Sequence, residues 1–252
     1  MERTRFKGFP SGLFEFLSEL ANNNNKDWFD TNRGRYQSQV LSVTKSFVTE
    51  LGPILTMLNQ EIETEPRVGR TVSRINNDIR FHKHKPPYRP FIYVSFARRG
   101  SKWATEAMMF VGLHSHGLSM GFYPGGYRKR RLGPLQESIK NNLRLFQRYL
   151  DERRIAQSYS ELTDAEQGAP AKWPLPETAR RWVKLESFTV GEYFPASDGV
   201  LSRRSFLDRV QRAMIDLYPL WLFATSEDIP GDLDLYWENA ESLARPLTKM
   251  AS

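Results

Sequence analysis

The densest run of chemically capable side chains spans Arg74 to Arg89: Arg74-Ile75-Asn76-Asn77-Asp78-Ile79-Arg80-Phe81-His82-Lys83-His84-Lys85-Pro86-Pro87-Tyr88-Arg89. Guanidinium forks and ammonium point charges at this density suit recognition of phosphate or carboxylate. Asp78 is the only carboxylate in residues 67–103, which hold ten Lys and Arg and a net charge of +9. In a folded site it orients an arginine or acts as a base. Equally, an Asp78–Arg80 ion pair could tie a strand end to a helix. Tyr88 offers a phenolic donor, and Pro86 and Pro87 stiffen the approach to it. The candidate set is therefore Asp78 and Tyr88 for chemistry, and Arg74, Arg80, Lys83, Lys85 and Arg89 for holding an anion.

The four histidines form two His-x-His pairs, His82/His84 and His114/His116. On a strand, residues two apart share a face, so each pair could present two imidazoles to one metal. Lys83 and Lys85 flank the first pair and oppose a cation there. The reading is surface or hydrogen-bonded histidines rather than a metal centre, with His82, His84, His114 and His116 the only metal candidates. There is no cysteine, which removes thiolate metal sites, disulfides and Cys nucleophiles. Neither a Gly-x-x-x-x-Gly-Lys-Ser/Thr loop, a Gly-x-Gly-x-x-Gly turn nor a Gly-x-Ser-x-Gly elbow occurs, and no Ser/His/Asp set lines up. No pattern calls for a cofactor.

Charge is unevenly spread along the 252 residues. The net of +7 divides into −2 over residues 1–66, +9 over 67–103, +5 over 104–154 and −5 over 155–252. A basic centre between acidic flanks points either to an anionic partner or to internal compensation. The basic run Arg128-Lys129-Arg130-Arg131 is read as a solvated turn before a nucleic-acid patch. The first residues lack an apolar signal region, and the stretch Leu217–Ala224 is too short for a membrane span. A cytoplasmic protein without a membrane partner is expected.

The elements that must position the cluster follow from apolar spacing. Leu13, Phe16, Leu17 and Leu20 mark one face of a helix, and Asn25 caps the next. Tyr36, Val40, Val43, Phe47 and Leu51 mark a long helix, with Pro53 opening a further one. Arg70–Asn76, Phe91–Phe96, Ala107–Leu113 and Gly117–Tyr123 read as four successive strands, hence antiparallel. Arg130–Ile155 reads as one helix, 158–177 as loop, and Trp182–Phe194 as a short strand or extended segment. Ser202 caps a last long helix on Phe206, Val210, Met214 and Leu217, and the polar tail 227–252 holds a short helix at Trp237–Leu243. The tryptophans outside Arg98–Trp103 are read as core or near-core anchors. The fold class is α+β: a central, mainly antiparallel sheet of about four or more strands flanked by N-terminal and C-terminal helices, in a single domain over 1–252.

Three groups of residues resemble one family. Phe6-Lys7-Gly8-Phe9-Pro10, Asn23-Asn24, Trp28-Phe29, Arg33 and Tyr36 form the first. Asp78-Ile79-Arg80-Phe81, Lys85, Pro87-Tyr88-Arg89 form the second, and Gly117, Gly121-Phe122-Tyr123-Pro124 the third. Together they resemble domain of unknown function 2461, a bacterial and fungal family, over roughly residues 6–225. The resemblance implies an uncharacterised protein and reinforces the Asp78–Tyr88 cluster without naming a reaction. Three positions depart from the family pattern: Asn77 replaces Arg, His84 replaces Asp, and Arg89 replaces Lys.

Three functions fit. The first is a site for an anionic small molecule, phosphate-bearing or carboxylate, with catalysis left open. The second is nucleic-acid binding on the basic face of residues 67–131. The third is a structural or partner-binding protein whose basic centre docks on its own acidic tail. The sequence leaves the oligomeric state open.

Overall fold

The computed structural model describes residues 5–78, 85–101, 106–125, 132–166 and 168–249. The chain opens with α1 (Ser11–Asn22), α2 (Lys26–Thr31) and the short α3 (Arg33–Arg35), followed by a π-helical turn (Tyr36–Leu41) and α4 (Ser42–Leu58). Asn25 accepts from the Trp28 amide at 2.9 Å, capping α2 as its sequence position predicts.

Pro53 does not open a new helix; it lies inside α4. The residue before a proline normally avoids helical geometry because its Cβ crowds the ring. Here that residue is Gly52, which has no Cβ. The apolar face Phe47, Val48, Leu51, Ile54 and Leu55 continues across the break and stays buried.

Three strands rich in aromatic and β-branched residues follow: β1 (Phe91–Phe96), β2 (Met108–His114) and β3 (Gly117–Tyr123). The chain returns through α5 (Leu132–Asn141), α6 (Leu143–Glu152), α7 (Ile155–Ser158), β4 (Ser160–Leu162), β5 (Lys172–Pro174), α8 (Ala179–Trp182) and β6 (Val190–Pro195). It ends in α9 (Phe206–Thr225) and α10 (Ile229–Lys249). The sheet has six strands in the order β1-β2-β3-β6-β4-β5, every pairing antiparallel. The α+β class with helices at both ends is as the sequence predicts.

Several boundaries differ from expectation. The predicted Arg130–Ile155 helix breaks at Asn142, whose backbone leaves helical geometry (φ −125°, ψ 36°). The predicted loop 158–177 contains the β4–β5 hairpin, whose three-residue strands are too short to show alternation. The tail helix covers Ile229–Lys249 rather than one short turn. Ser202 lies outside α9, and Ser205 at its start makes no side-chain cap. Arg70–Asn76 is no regular strand. It runs along β1 and the residues that precede it, through isolated bridges at Val72↔Val94 and Asn76↔Tyr88. Trp182 and Trp221 are core residues and Trp28 and Trp237 pack against the core, but Trp173 is 58% exposed on β5.

The sheet has two unlike faces. Ile92, Val94, Met109, Val111, Leu113, Leu118, Met120 and Phe122 all join the main core, against which α1 and α9 pack. Phe194 meets Phe206 of α9 edge-on at 5.2 Å on the same side. The alternate residues form the outer face. Three register rows cross it: Phe91↔His114↔Gly117↔Pro195, Tyr93↔Gly112↔Ser119↔Tyr193 and Ser95↔Phe110↔Gly121↔Gly191. Leu162 and Ala165, from β4 and the loop after it, are buried yet separate from the main core, as are Met108 and Phe110 of β2.

Candidate functional site

The Arg74–Arg89 segment is built onto the edge of β1. The Ser73 amide donates to the Tyr93 carbonyl (2.8 Å), the Arg89 amide to Ile75 (2.7 Å), and the Asn77 amide to Pro87 (2.9 Å). The chain thus leaves this ladder after Asn77 and rejoins it at Pro87. Arg80, His82, Lys83 and His84 lie outside the described residues, as do Trp103 and Arg128–Arg131. Asp78 and Lys85 are exposed at the two ends of the described stretch.

Tyr88 is held from a distant part of the sequence. Asn24, in the loop between α1 and α2, donates from Nδ2 to the Tyr88 carbonyl (2.9 Å) and accepts at Oδ1 from the Tyr88 amide (3.0 Å). The Tyr88 ring is buried and stacks on Phe29 with centroids 4.1 Å apart. Burial first, and the Asp30 carboxylate second, push its phenol above the ordinary range, while Arg33 opposes them.

Arg89 is fixed by the same frame. Its Nε donates to Asn77 Oδ1 at 3.0 Å, and Asn77 Nδ2 donates in turn to the Pro86 carbonyl (2.8 Å) and the Tyr88 carbonyl (3.1 Å). Two positions that depart from the family pattern, Asn77 and Arg89, are thus one hydrogen-bonded pair. Among the described residues no carboxylate comes within ion-pair distance of Arg89. Its charge is felt by Glu166, where it partly offsets the upward shift caused by burial and by Asp164. Arg74 stands apart: it is exposed, with its guanidinium against Gly69.

Other cations of the basic centre are engaged locally. Arg98 meets Glu61, and Arg70 meets Glu63 and Glu65, while Arg67 lies 3.8 Å from Glu65. These carboxylates come from residues 61–65, whereas Arg153 meets Asp216, in the acidic C-terminal third, at 3.5 Å.

The outer face of the sheet carries a feature that the histidine spacing alone does not disclose. His114 is only 2% exposed, and among the described residues neither ring nitrogen has a hydrogen-bond partner. The sequence predicts a surface or hydrogen-bonded histidine, and His114 is neither. Burial foremost, aided by neighbouring His116, pulls its pKa down to about 3, so the ring is neutral at physiological pH. Its Nε2, Ser119 Oγ and Tyr93 Cε1 converge over Gly112, at 2.7, 2.8 and 2.8 Å from where a Cβ would stand. Only glycine leaves them that room.

His116, in the two-residue turn between β2 and β3, stacks on His114 at 5.2 Å and 12°. Its Nε2 donates to the Ala165 carbonyl (2.8 Å), and its Nδ1 lies 3.1 Å from the Tyr193 hydroxyl. Lys172 Nζ donates to the Tyr193 carbonyl at 3.2 Å and lies over the Tyr193 ring. Among the described residues no group of three or more His, Asp or Glu is arranged to hold a metal. The Gly112–Ser119 convergence could not be read from sequence, because it depends on strand register across three strands.

The fold defines an α+β protein whose antiparallel sheet carries a buried histidine, His114, on its outer face. The family model described as Conserved hypothetical protein (DUF2461) matches residues 12–223, and the chain belongs to that family. The comparison with curated proteins gave no match. Among the described residues no helix is long and apolar enough to cross a membrane.

Proposed function

We propose that the protein binds an anionic small molecule, phosphate-bearing or carboxylate, at the Arg89 end of the outer sheet face. One observation carries the reading: Arg89 is held by Asn77, which Tyr88 and Asn24 frame, and among the described residues no carboxylate pairs with it. A guanidinium pre-oriented through Nε keeps its terminal nitrogens for a fork-like contact with an oxyanion. Pre-organisation lowers the entropic cost of binding. Lys85 and Lys172 add positive charge; of the other cations that the sequence singles out, Arg74 stands apart, and Arg80 and Lys83 lie outside the described residues. In this reading Tyr88 is a positioning residue that carries Arg89, and Asp78 orients the neighbouring arginines.

Calorimetric titration with inorganic phosphate and with acetate tests the proposal. Arg89→Ala should weaken binding about 10-fold or more, the scale of one charge-assisted hydrogen bond. Arg67→Ala, already paired with Glu65, should leave it unchanged. Equal affinity in wild type and Arg89→Ala would overturn the assignment. A gel shift on duplex or single-stranded nucleic acid, present at low salt and lost steeply with added salt, would favour the nucleic-acid reading instead.

A further inference from the structure

We infer that the same site has an uncharged inner half, built from His114 and Ser119, that takes the hydroxyl groups of a phosphorylated or carboxylated polyol. The inference rests on the anion reading above and specifies its ligand. A buried imidazole with both nitrogens unpartnered is rare, because buried polar groups nearly always find partners. A neutral imidazole offers one donor and one acceptor, and the Ser119 hydroxyl offers both. Ser119 Oγ stands beside His114 Nε2 over Gly112, so both polar atoms border the same space. Sugar-type hydroxyls, which also donate and accept, match this set. A second charged group would not, since the burial that keeps His114 neutral also disfavours any ion beside it.

Position supports a single ligand spanning both halves. Arg89 precedes Phe91 by two residues, and Phe91 pairs directly with His114. Along a strand that offset is about 7 Å, the reach of a short polyol chain. His116 is the cover. It is half-exposed, sits in a two-residue turn, and lies parallel on His114. Release of its contacts with Ala165 and Tyr193 would uncover the inner imidazole and its neighbour Ser119. The rings of Phe91, Tyr93 and Tyr193 supply apolar walls for the carbon skeleton.

The test compares ribose 5-phosphate with inorganic phosphate, and gluconate with acetate, on the full chain. The polyol member of one pair should bind about 10-fold tighter than its bare anion, the scale of two added hydrogen bonds. That advantage should vanish in Ser119→Ala and in His114→Leu, while phosphate or acetate binding persists. His114→Leu should also melt higher by about 2–4 °C, because an unsatisfied buried group is removed. If the bare anions bind and the polyols bind no tighter, this inference fails and the anion reading stands. If nothing binds, both fail. If His114→Leu melts lower and Ser119→Ala keeps the full polyol advantage, His114 is a packing residue and the inference is overturned.

Discussion

His114, buried in the sheet, ties the stability of the fold to pH. Burial holds its pKa at about 3, against 6.5 for the free side chain. As pH falls below 6.5 the unfolded chain takes up this proton first, so the group costs stability progressively down to about pH 3. At about pH 4.5 the cost amounts to roughly 2–3 kcal/mol. Urea unfolding near pH 7 and near pH 4.5 should show wild type losing that much more than His114→Leu. Equal losses in the two proteins would mean the ring is not kept neutral by the fold. Gly112 is the companion residue. Gly112→Ala places a methyl carbon 2.7–2.8 Å from three atoms, so His114 or Tyr93 must swing away. The expected outcome is loss of polyol binding together with a drop of about 1–3 kcal/mol from overpacking, read by denaturant melt.

At the level of elements, the α1–α2 loop and the Pro87–Arg89 segment act as one unit although 64 residues separate Asn24 from Tyr88. Asn24→Ala removes both hydrogen bonds to the Tyr88 backbone and should cost about 1–3 kcal/mol in a urea melt. It should also weaken phosphate binding, because Tyr88 O helps hold Asn77, and Asn77 holds Arg89. A stability loss without an affinity loss would separate the scaffold from the site. Much of this level was legible in sequence. Leu13, Phe16, Leu17 and Leu20 mark α1, Phe206, Val210 and Leu217 mark α9, and strands β1 to β3 show their β-branched and aromatic runs. What failed has physical causes. Gly52 lets α4 pass Pro53, and Asn142 breaks a helix that periodicity alone carries through. β4 and β5 are shorter than one alternation can reveal. The cationic segment stood out by composition, but the Asn24–Tyr88 and Asn77–Arg89 ties depend on chain crossings that no local pattern encodes.

Across the whole molecule, one buried apolar cluster extends from Phe6 near the start to Leu243 in α10. We propose that residues 1–252 unfold as one domain, seen as a single calorimetric transition whose enthalpy equals the van't Hoff value. The tail belongs to that unit through packing, with the Arg153 guanidinium over the Tyr236 and Trp237 rings at 5.1 and 4.8 Å. Ile229, Leu233, Tyr236 and Leu243 are buried, and the Tyr236 hydroxyl donates to the Ile215 carbonyl at 3.0 Å. Deletion of residues 229–252 should therefore cost more than about 5 kcal/mol, at low and moderate salt alike. A loss confined to low salt would revive docking of an acidic tail on the basic centre. The strand order carries a further consequence, for synthesis. β3 ends at Tyr123, but its neighbour β6 is complete only at Pro195. About 70 residues must be translated between them, which takes roughly 4–14 s at ordinary elongation rates. Throughout that interval a nascent three-stranded meander presents the bare edge of β3 outside the ribosome, so a chaperone that shields strand edges would find its substrate there.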